Sequence, residues 1–359
     1  MDSLTQLALG AGVGAAVLGR RIGPRRAAVA GAVLGTLPDL DVFWPFADPV
    51  DAFVLHRSAT HSLVVQALAT PLLGEALRLL VRDLRGERWR TWAAVYLCLS
   101  THALLDAFTV YGTQLLWPLS SHPFGVGSVF IIDPLYTLPL LLALAWALCV
   151  RSWTPGFGRV LASALVLSSL YLGWSAAAQR IAGTRAAAML ADAGIVPERS
   201  MATPTPFNTL FWRVIALDGD RYLNLYVPIL GGRDAVTAYA HPRGAAGCLD
   251  RVPAAGRLSR FAHGFVRVEA DGDARIVADL RMGLTPYYVF RFAVAEAAGG
   301  ALRAVLPRRA MVTRSTEGDF TWLGDGMLGR GVVRPIEAAA ALELSPMPVA
   351  ARPAASAAC

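Results

Sequence analysis

Apolar residues gather along the chain into six runs, at about 4–19, 27–46, 62–81, 91–110, 130–150 and 159–179. Each is close to the ~20 residues that carry a helix across a bilayer, so the pattern predicts six spans. The second is the weakest: its clean stretch AAVAGAVLGTL runs straight into Pro38, Asp39 and Asp41, which also suits a re-entrant segment. From about residue 200 the period changes to short runs rich in aromatic and β-branched residues, FNTLFWRVIAL, RYLNLYVPIL, FAHGFVRVEA, ARIVADLRM and YYVFRFAVA, separated by DGD, GGR and PRG turns. That pattern predicts an antiparallel β domain of about five to seven strands. The expected fold is thus an α-helical polytopic membrane domain at 1–180, a helical connector at 181–199, a small, mostly antiparallel β domain at 200–335 and a flexible, alanine- and proline-rich tail at 336–359.

Composition and charge add an orientation. The chain is 55% hydrophobic with a mean hydropathy of +0.47, too apolar for an ordinary soluble protein. Its net charge of +7 rests on arginine alone, with no lysine. Arg20, Arg21, Arg25 and Arg26 separate runs one and two; Arg78, Arg82, Arg85, Arg88 and Arg90 separate three and four; Arg151 and Arg159 separate five and six. The alternate loops, 47–61 and 111–129, hold only Arg57. Excess arginine marks cytoplasmic loops, so these alternate loops, the N-terminus and everything after run six are expected to face outward. The same rule accounts for the basic balance without a nucleic-acid partner. The opening MDSLTQLALGAGVGAAVLG has no basic leader and reads as a retained first span. Cys98, Cys149, Cys248 and Cys359 suggest neither a disulfide framework nor a zinc cluster.

The ionisable residues in or beside the apolar runs are not scattered. Asp2, Asp39, Asp41, His56, His61 and Asp133 all fall at run ends assigned to the outer side, and in HALLDAFTVYG His102 and Asp106 sit four apart on one helical face, continued by Thr109. Burying such groups in hydrocarbon is costly unless they pair, line a wet cavity or bind an ion. Histidine nitrogens with carboxylate oxygens suit a divalent metal ion, zinc in the first place, with manganese or iron as alternatives. Each element has a plainer reading: an intrahelical His102–Asp106 pair, a PDLD turn, an interfacial HRSATHS loop whose Ser58 or Thr60 caps the next helix. Arg57 either clamps an anion such as phosphate or snorkels at the interface. His122 reads as a surface residue, and His241 and His263 as structural residues of the β domain.

The ordered set MDSLTQLALG, LPDLD, HRSATHS and HALLDAFTVYG resembles the bacterial LexA-binding, inner-membrane-associated metal-dependent hydrolase family over about residues 1–180, and more weakly, through DLRMG and YYVFRF, to about 295. The resemblance implies a multi-pass inner-membrane hydrolase whose Asp39, Asp41, His56, His61, His102 and Asp106 match the positions assigned to metal, and by analogy a phosphoester substrate. The sequence departs from the family's opening MDxxTH at Gln6, and Ser58 replaces a common glycine. The leading expectation is therefore a metal-dependent hydrolase acting at the outer membrane face on a phosphoester or other amphiphile, with the bilayer as partner, Asp39 as base or bridging ligand and Arg57 steadying the anion. Its alternative is a non-catalytic, metal-stabilised scaffold whose β domain binds a protein partner. Transport is disfavoured because the charges collect on one side.

Overall fold

The computed structural model describes residues 1–244, 252–298, 301–311 and 317–345. Cys248 and Cys359 lie outside the described residues. The chain forms two compact units: Met1–Trp44 with Leu55–Ser175, and Pro45–Val54 with Ala176 onward. Helices α1 (Ser3–Ile22), α2 (Pro24–Thr36), α3 (Pro49–Leu55), α4 (Leu63–Leu80), α5 (Arg88–Phe108), α6 (Pro134–Cys149) and α7 (Pro155–Asp192) follow in order.

In the first unit, glycines set how closely α1 and α2 approach. A Cβ at Gly10 would lie 2.4 Å from the Gly31 carbonyl oxygen, one at Gly14 would lie 2.6 Å from Gly31 Cα, and one at Gly35 would lie 2.8 Å from Gly10 Cα. Two GxxxG stripes therefore interlock with their backbones in contact, a packing mode suited to a membrane, where close van der Waals fit replaces hydrophobic drive. Two of the acids at the run ends serve as helix caps. Asp2 accepts from the Leu4 and Thr5 amides at the start of α1 (3.1 and 3.0 Å), and Asp133 accepts from Leu135 and Tyr136 at the start of α6 (3.1 and 3.3 Å). Asp133 also accepts from the Tyr171 hydroxyl at 2.8 Å.

Every predicted apolar run coincides with a helix, but the helices do not confirm the expected six spans. Among the described residues, α4 and α7 are long and apolar enough to cross a membrane, with mean hydropathy 1.5 and 1.6, and α6 is apolar but shorter. The 13 residues of α2 rise only ~20 Å, against a hydrocarbon core of ~30 Å. Helix α5 carries Arg88, Arg90, His102 and Asp106, and α1 is diluted by its packing glycines.

In the second unit, β1 (Arg199–Pro204), β2 (Phe211–Asp218), β3 (Arg221–Pro228) and β4 (Thr237–Pro242) form an antiparallel sheet. Helix α8 (Pro253–Phe261) follows, then β5 (Val266–Asp271), β6 (Ala274–Asp279), the β7–β8 hairpin (Gly283–Leu284 and Tyr287–Tyr288), β9 (Arg291–Ala298) and β10 (Ala301–Arg309). These give a second sheet in the order β10-β9-β6-β5. Helices α9 (Asp319–Met327) and α10 (Pro335–Ala340) precede β11 (Glu343–Ser345), which pairs with β4 at the edge of the first sheet. The sheets are mostly antiparallel, as the turn-punctuated pattern predicts. The two-residue period is clear on β2 to β4: Trp212, Val214, Ala216, Leu223, Leu225, Val227, Ala238 and Ala240 pack on Ala178, Ala182, Ala186 and Leu190 of α7. The opposite face carries Tyr222, Asn224, Tyr226, Tyr239 and His241, all buried. The segment expected as a flexible tail from 336 instead supplies α10 and β11; the part beyond Ser345 lies outside the described residues.

Candidate metal centre

Three local structures, all in the first unit, deliver the donors. Helix α2 ends in a 3-10 turn, Leu37–Phe43, bearing Asp39 and Asp41. A second 3-10 turn, Ala59–His61, places His61 just ahead of α4, whose N-cap Ser62 accepts from the Val65 amide at 3.3 Å. Helix α5 presents His102 and Asp106 one turn apart. One donor atom each from Asp39, His61, His102 and Asp106 converges, all within 4.8 Å of one another.

The separations within that set are informative. His61 Nε2 lies 3.1 Å from His102 Nε2, 3.2 Å from Asp106 Oδ2 and 3.5 Å from Asp39 Oδ1. His102 Nε2 lies 3.4 Å from Asp106 Oδ2 and 3.5 Å from Asp39 Oδ1. A cation bound tetrahedrally at ~2.0–2.2 Å sets its ligands ~3.3–3.6 Å apart. Five edges of the set, at 3.1–3.5 Å, therefore come within a few tenths of an ångström of a tetrahedron around one ion.

The surrounding hydrogen bonds aim lone pairs inward. His102 Nδ1 lies 2.6 Å from the Gly35 carbonyl, so its proton sits on Nδ1 and Nε2 is free to ligate. The Thr60 hydroxyl donates to Asp41 Oδ2 at 2.9 Å and accepts from His61 Nδ1 at 2.9 Å, which fixes His61 in the same tautomer. In these tautomers the two Nε2 atoms, 3.1 Å apart with carboxylate oxygens beside them, would turn lone pairs toward one another. Asp106 Oδ2 is buried with no aligned hydrogen-bond donor. Lone pairs converging without a proton between them repel, and a cation removes that cost. The residues present fit a divalent metal.

Asp41 and His56 stand one step back from this set. His56 Nδ1 lies 2.8 Å from Asp41 Oδ1, and Asp41 Oδ2 also accepts the Arg57 amide at 3.1 Å and is 3.7 Å from His61 Nδ1. The Arg57 backbone adopts φ +64°, the left-handed region, and turns the side chain inward. Its Nε is 3.2 Å from Asp106 Oδ2, its Nη1 donates to Thr109 Oγ1 at 3.2 Å, and its guanidinium lies 4.8 Å from the centre of the Tyr111 ring. Gln6 Nε2 donates to Asp106 Oδ1 at 3.0 Å and to the His102 carbonyl at 3.3 Å, while the Met1 nitrogen pairs with Asp106 Oδ1. Gln6 therefore occupies the wall of the centre. Asp2 and Asp133 act as caps, and His122 is exposed against Phe124. His241 and His263 belong to the second unit, where Glu337 lies 3.2 Å from His241 Nε2. The orienting roles of Thr60 and the Gly35 carbonyl escaped the sequence reading; for Thr60 the signal was its place beside His61, three residues after Arg57.

The YdjM inner membrane protein family model matches residues 1–182, which include every residue of this centre. The inner membrane protein YbcI of Escherichia coli (strain K12) is 32% identical over 158 residues, 39% of this chain and 83% of that protein. No solved structure matches the chain. With half of its length, and all of its convergent donors, inside the matched region, the chain belongs to the YdjM inner membrane protein family.

Proposed function

We propose that this protein is a membrane-bound, metal-dependent hydrolase that cleaves a phosphoester or related lipid-like substrate at the outer face of the inner membrane. The observation that carries the reading is the near-tetrahedral convergence of Asp39, His61, His102 and Asp106 with their lone pairs inward. When bound there, a divalent cation, zinc in the first place, supplies Lewis-acid polarisation and an acidified water at neutral pH. Asp39 is the ligand open to solvent, with its side chain 24% exposed, while His61, His102 and Asp106 are sealed. Access therefore lies on the Asp39 side, beside Leu40, Val42, Phe43 (81% exposed) and Trp44 (69% exposed). An apolar, aromatic rim beside the accessible ligand suits an amphiphile held in the interface. Arg57 offers a fixed cation to the anionic group, and His56, tethered through Nδ1 to Asp41, is placed to move a proton.

A second reading is favoured by burial. Four protein donors, three of them sealed, resemble a structural ion site more than a catalytic one, which keeps a position open. On that reading the ion holds the helices together and the β-rich unit binds a partner. Metal analysis of the purified full-length protein, followed by hydrolysis assays with phosphomonoester, phosphodiester and vesicle-embedded phospholipid substrates, separates the two. Turnover that disappears with His102→Ala supports the hydrolase. Stoichiometric metal with no turnover on any of these substrates supports the scaffold, and absence of metal defeats both.

A further inference from the structure

The chain between the two donor-bearing turns does not belong to the unit that holds them. Residues Pro45–Val54, which join Asp41 to His56, are part of the β-rich unit. Phe53 is buried there, its ring centroid 5.1 Å from that of Phe261 on α8, 4.4 Å from that of Phe290 and 5.6 Å from that of Phe292 on β9. Arg257, one turn before Phe261 on the same helix, donates to Asp48 at 2.7 Å and lies 3.0 Å from Asp51. Asp48 in turn caps α3, accepting from the Val50 and Asp51 amides at 2.7 and 2.8 Å. A seven-residue helix is far below the length that is stable by itself, so α3 owes its order to this docking.

We propose that the β-rich unit clamps this connector and thereby positions the metal centre, with Phe53 and Arg257 as positioning residues. The proposal rests on the metal reading above. The geometric reason is reach: His56 lies three positions after Phe53, and three residue steps span at most ~10 Å. Fixing the Phe53 ring therefore confines the start of His56–Arg57–Ser58–Ala59–Thr60–His61. That stretch supplies one ligand, the threonine that orients it and the arginine beside Asp106. The aromatic contact is the main hold, because the Arg257 pairs are partly solvated and weaker.

The test uses full-length protein in detergent micelles, stripped of metal and titrated with Co²⁺, with amide hydrogen exchange followed over residues 55–62. Phe53→Ala and Arg257→Glu are expected to weaken Co²⁺ binding by about ten-fold or more, the range typical for removing groups that orient ligands, and to speed exchange over 55–62. Arg257→Lys, which keeps a cation opposite Asp48, is expected to stay near wild type. Arg221→Ala breaks a pair with Asp218 elsewhere in the β-rich unit and controls for general loosening. Unchanged affinity and unchanged exchange in Phe53→Ala and Arg257→Glu would overturn the clamp, as would an equal loss in Arg221→Ala. If wild-type protein takes up no Co²⁺, the metal reading falls, and exchange alone then decides: faster exchange in the two variants sustains the clamp, and no change ends it.

Discussion

Each unit buries a cluster of ionisable side chains, and the two are built on opposite hydrogen-bond logic. In the β-rich unit, Glu337 Oε1 accepts from Asn224 at 2.6 Å and His241 at 3.2 Å, while Oε2 accepts from the Tyr226 hydroxyl at 2.6 Å. Arg334 lies 3.6 Å from the same carboxylate and donates to both oxygens of Asp319 at 2.7 and 3.1 Å. The carboxylate oxygens there meet donors, although Asn224 Oδ1 is buried without one. In the helical unit, two imidazole nitrogens and two carboxylate oxygens face one another, and the Asp106 Oδ2 atom has no aligned donor. Burial alone does not mark an ion site; unsatisfied convergence does. In the first cluster the Glu337 carboxylate is matched by donors on both oxygens; in the second, four donor atoms converge in an arrangement that could hold a cation.

The largest effect that would break this contrast is on metal content. His102→Ala and Asp106→Ala are each expected to abolish bound metal, measured by elemental analysis of purified protein, whereas Glu337→Ala is expected to leave it unchanged. Chelation should lower the melting temperature of wild type and leave that of His102→Ala where it was. The reason is that an ion binding only the folded state adds about 2.7 kcal/mol at a hundred-fold excess over Kd. A Glu337→Ala protein that loses its metal would show that the clusters are not independent.

Next in size is the stability of the β-rich unit. Glu337→Ala strands Asn224, Tyr226 and His241 without their shared acceptor, and is expected to cost ~3–5 kcal/mol, as for breaking a buried charged pair from one side. Denaturant titration reporting on Trp212 and Trp322, both buried in that unit, measures it. A loss below about 1 kcal/mol would mean that the network is slack.

A smaller effect follows from pH. Burial raises the Tyr226 hydroxyl well above the ordinary tyrosine value of 10.0, and the neighbouring Glu337 charge adds to it. Tyr222 and Tyr288 are also raised, chiefly by burial. A raised folded-state value means that the stability is fully present below about pH 10, where unfolded tyrosine keeps its proton. It is lost as pH climbs from there toward the folded value, by up to about 1.4 kcal/mol per pH unit for each group. Melting temperatures between pH 9 and 11 should fall steeply in wild type and less steeply in Tyr226→Phe. Equal slopes would show that the hydroxyl ionises as freely folded as unfolded.

The sequence made one cluster readable and concealed the other. His102 and Asp106 share a helical face by their spacing, and Asp39 and His61 lie in short motifs at the ends of apolar runs, so local patterning pointed to them. His241, by contrast, reads from the sequence only as a structural residue of the β domain, because Glu337 comes 96 residues later, in a stretch whose composition suggests a tail. The same blindness hid the Arg257–Asp48 pair, 209 residues apart. Alternation along β3 and β4 predicts which side chains share a face, but not which distant helix covers it. The count of six spans is not confirmed: among the described residues only α4 and α7 are both long and apolar enough to cross a membrane, while α1 and α2 carry glycine stripes that pack helix to helix.

The smallest predicted effect sharpens the contrast from inside the metal centre. Gln6 uses its amide nitrogen on Asp106 Oδ1 and the His102 carbonyl, and its buried Oε1 has no donor. Gln6→His removes that orphan acceptor, keeps one N–H for Asp106, and brings a further nitrogen lone pair to the wall of a site already rich in them. In a cluster that works by satisfied pairs, an added lone pair would be destabilising. In one that waits for a cation it should be welcome, and Co²⁺ affinity should rise by about ten-fold or less. A clear fall in affinity with the fold intact would mean that the glutamine amide, and not an imidazole, is what this centre is built to accept.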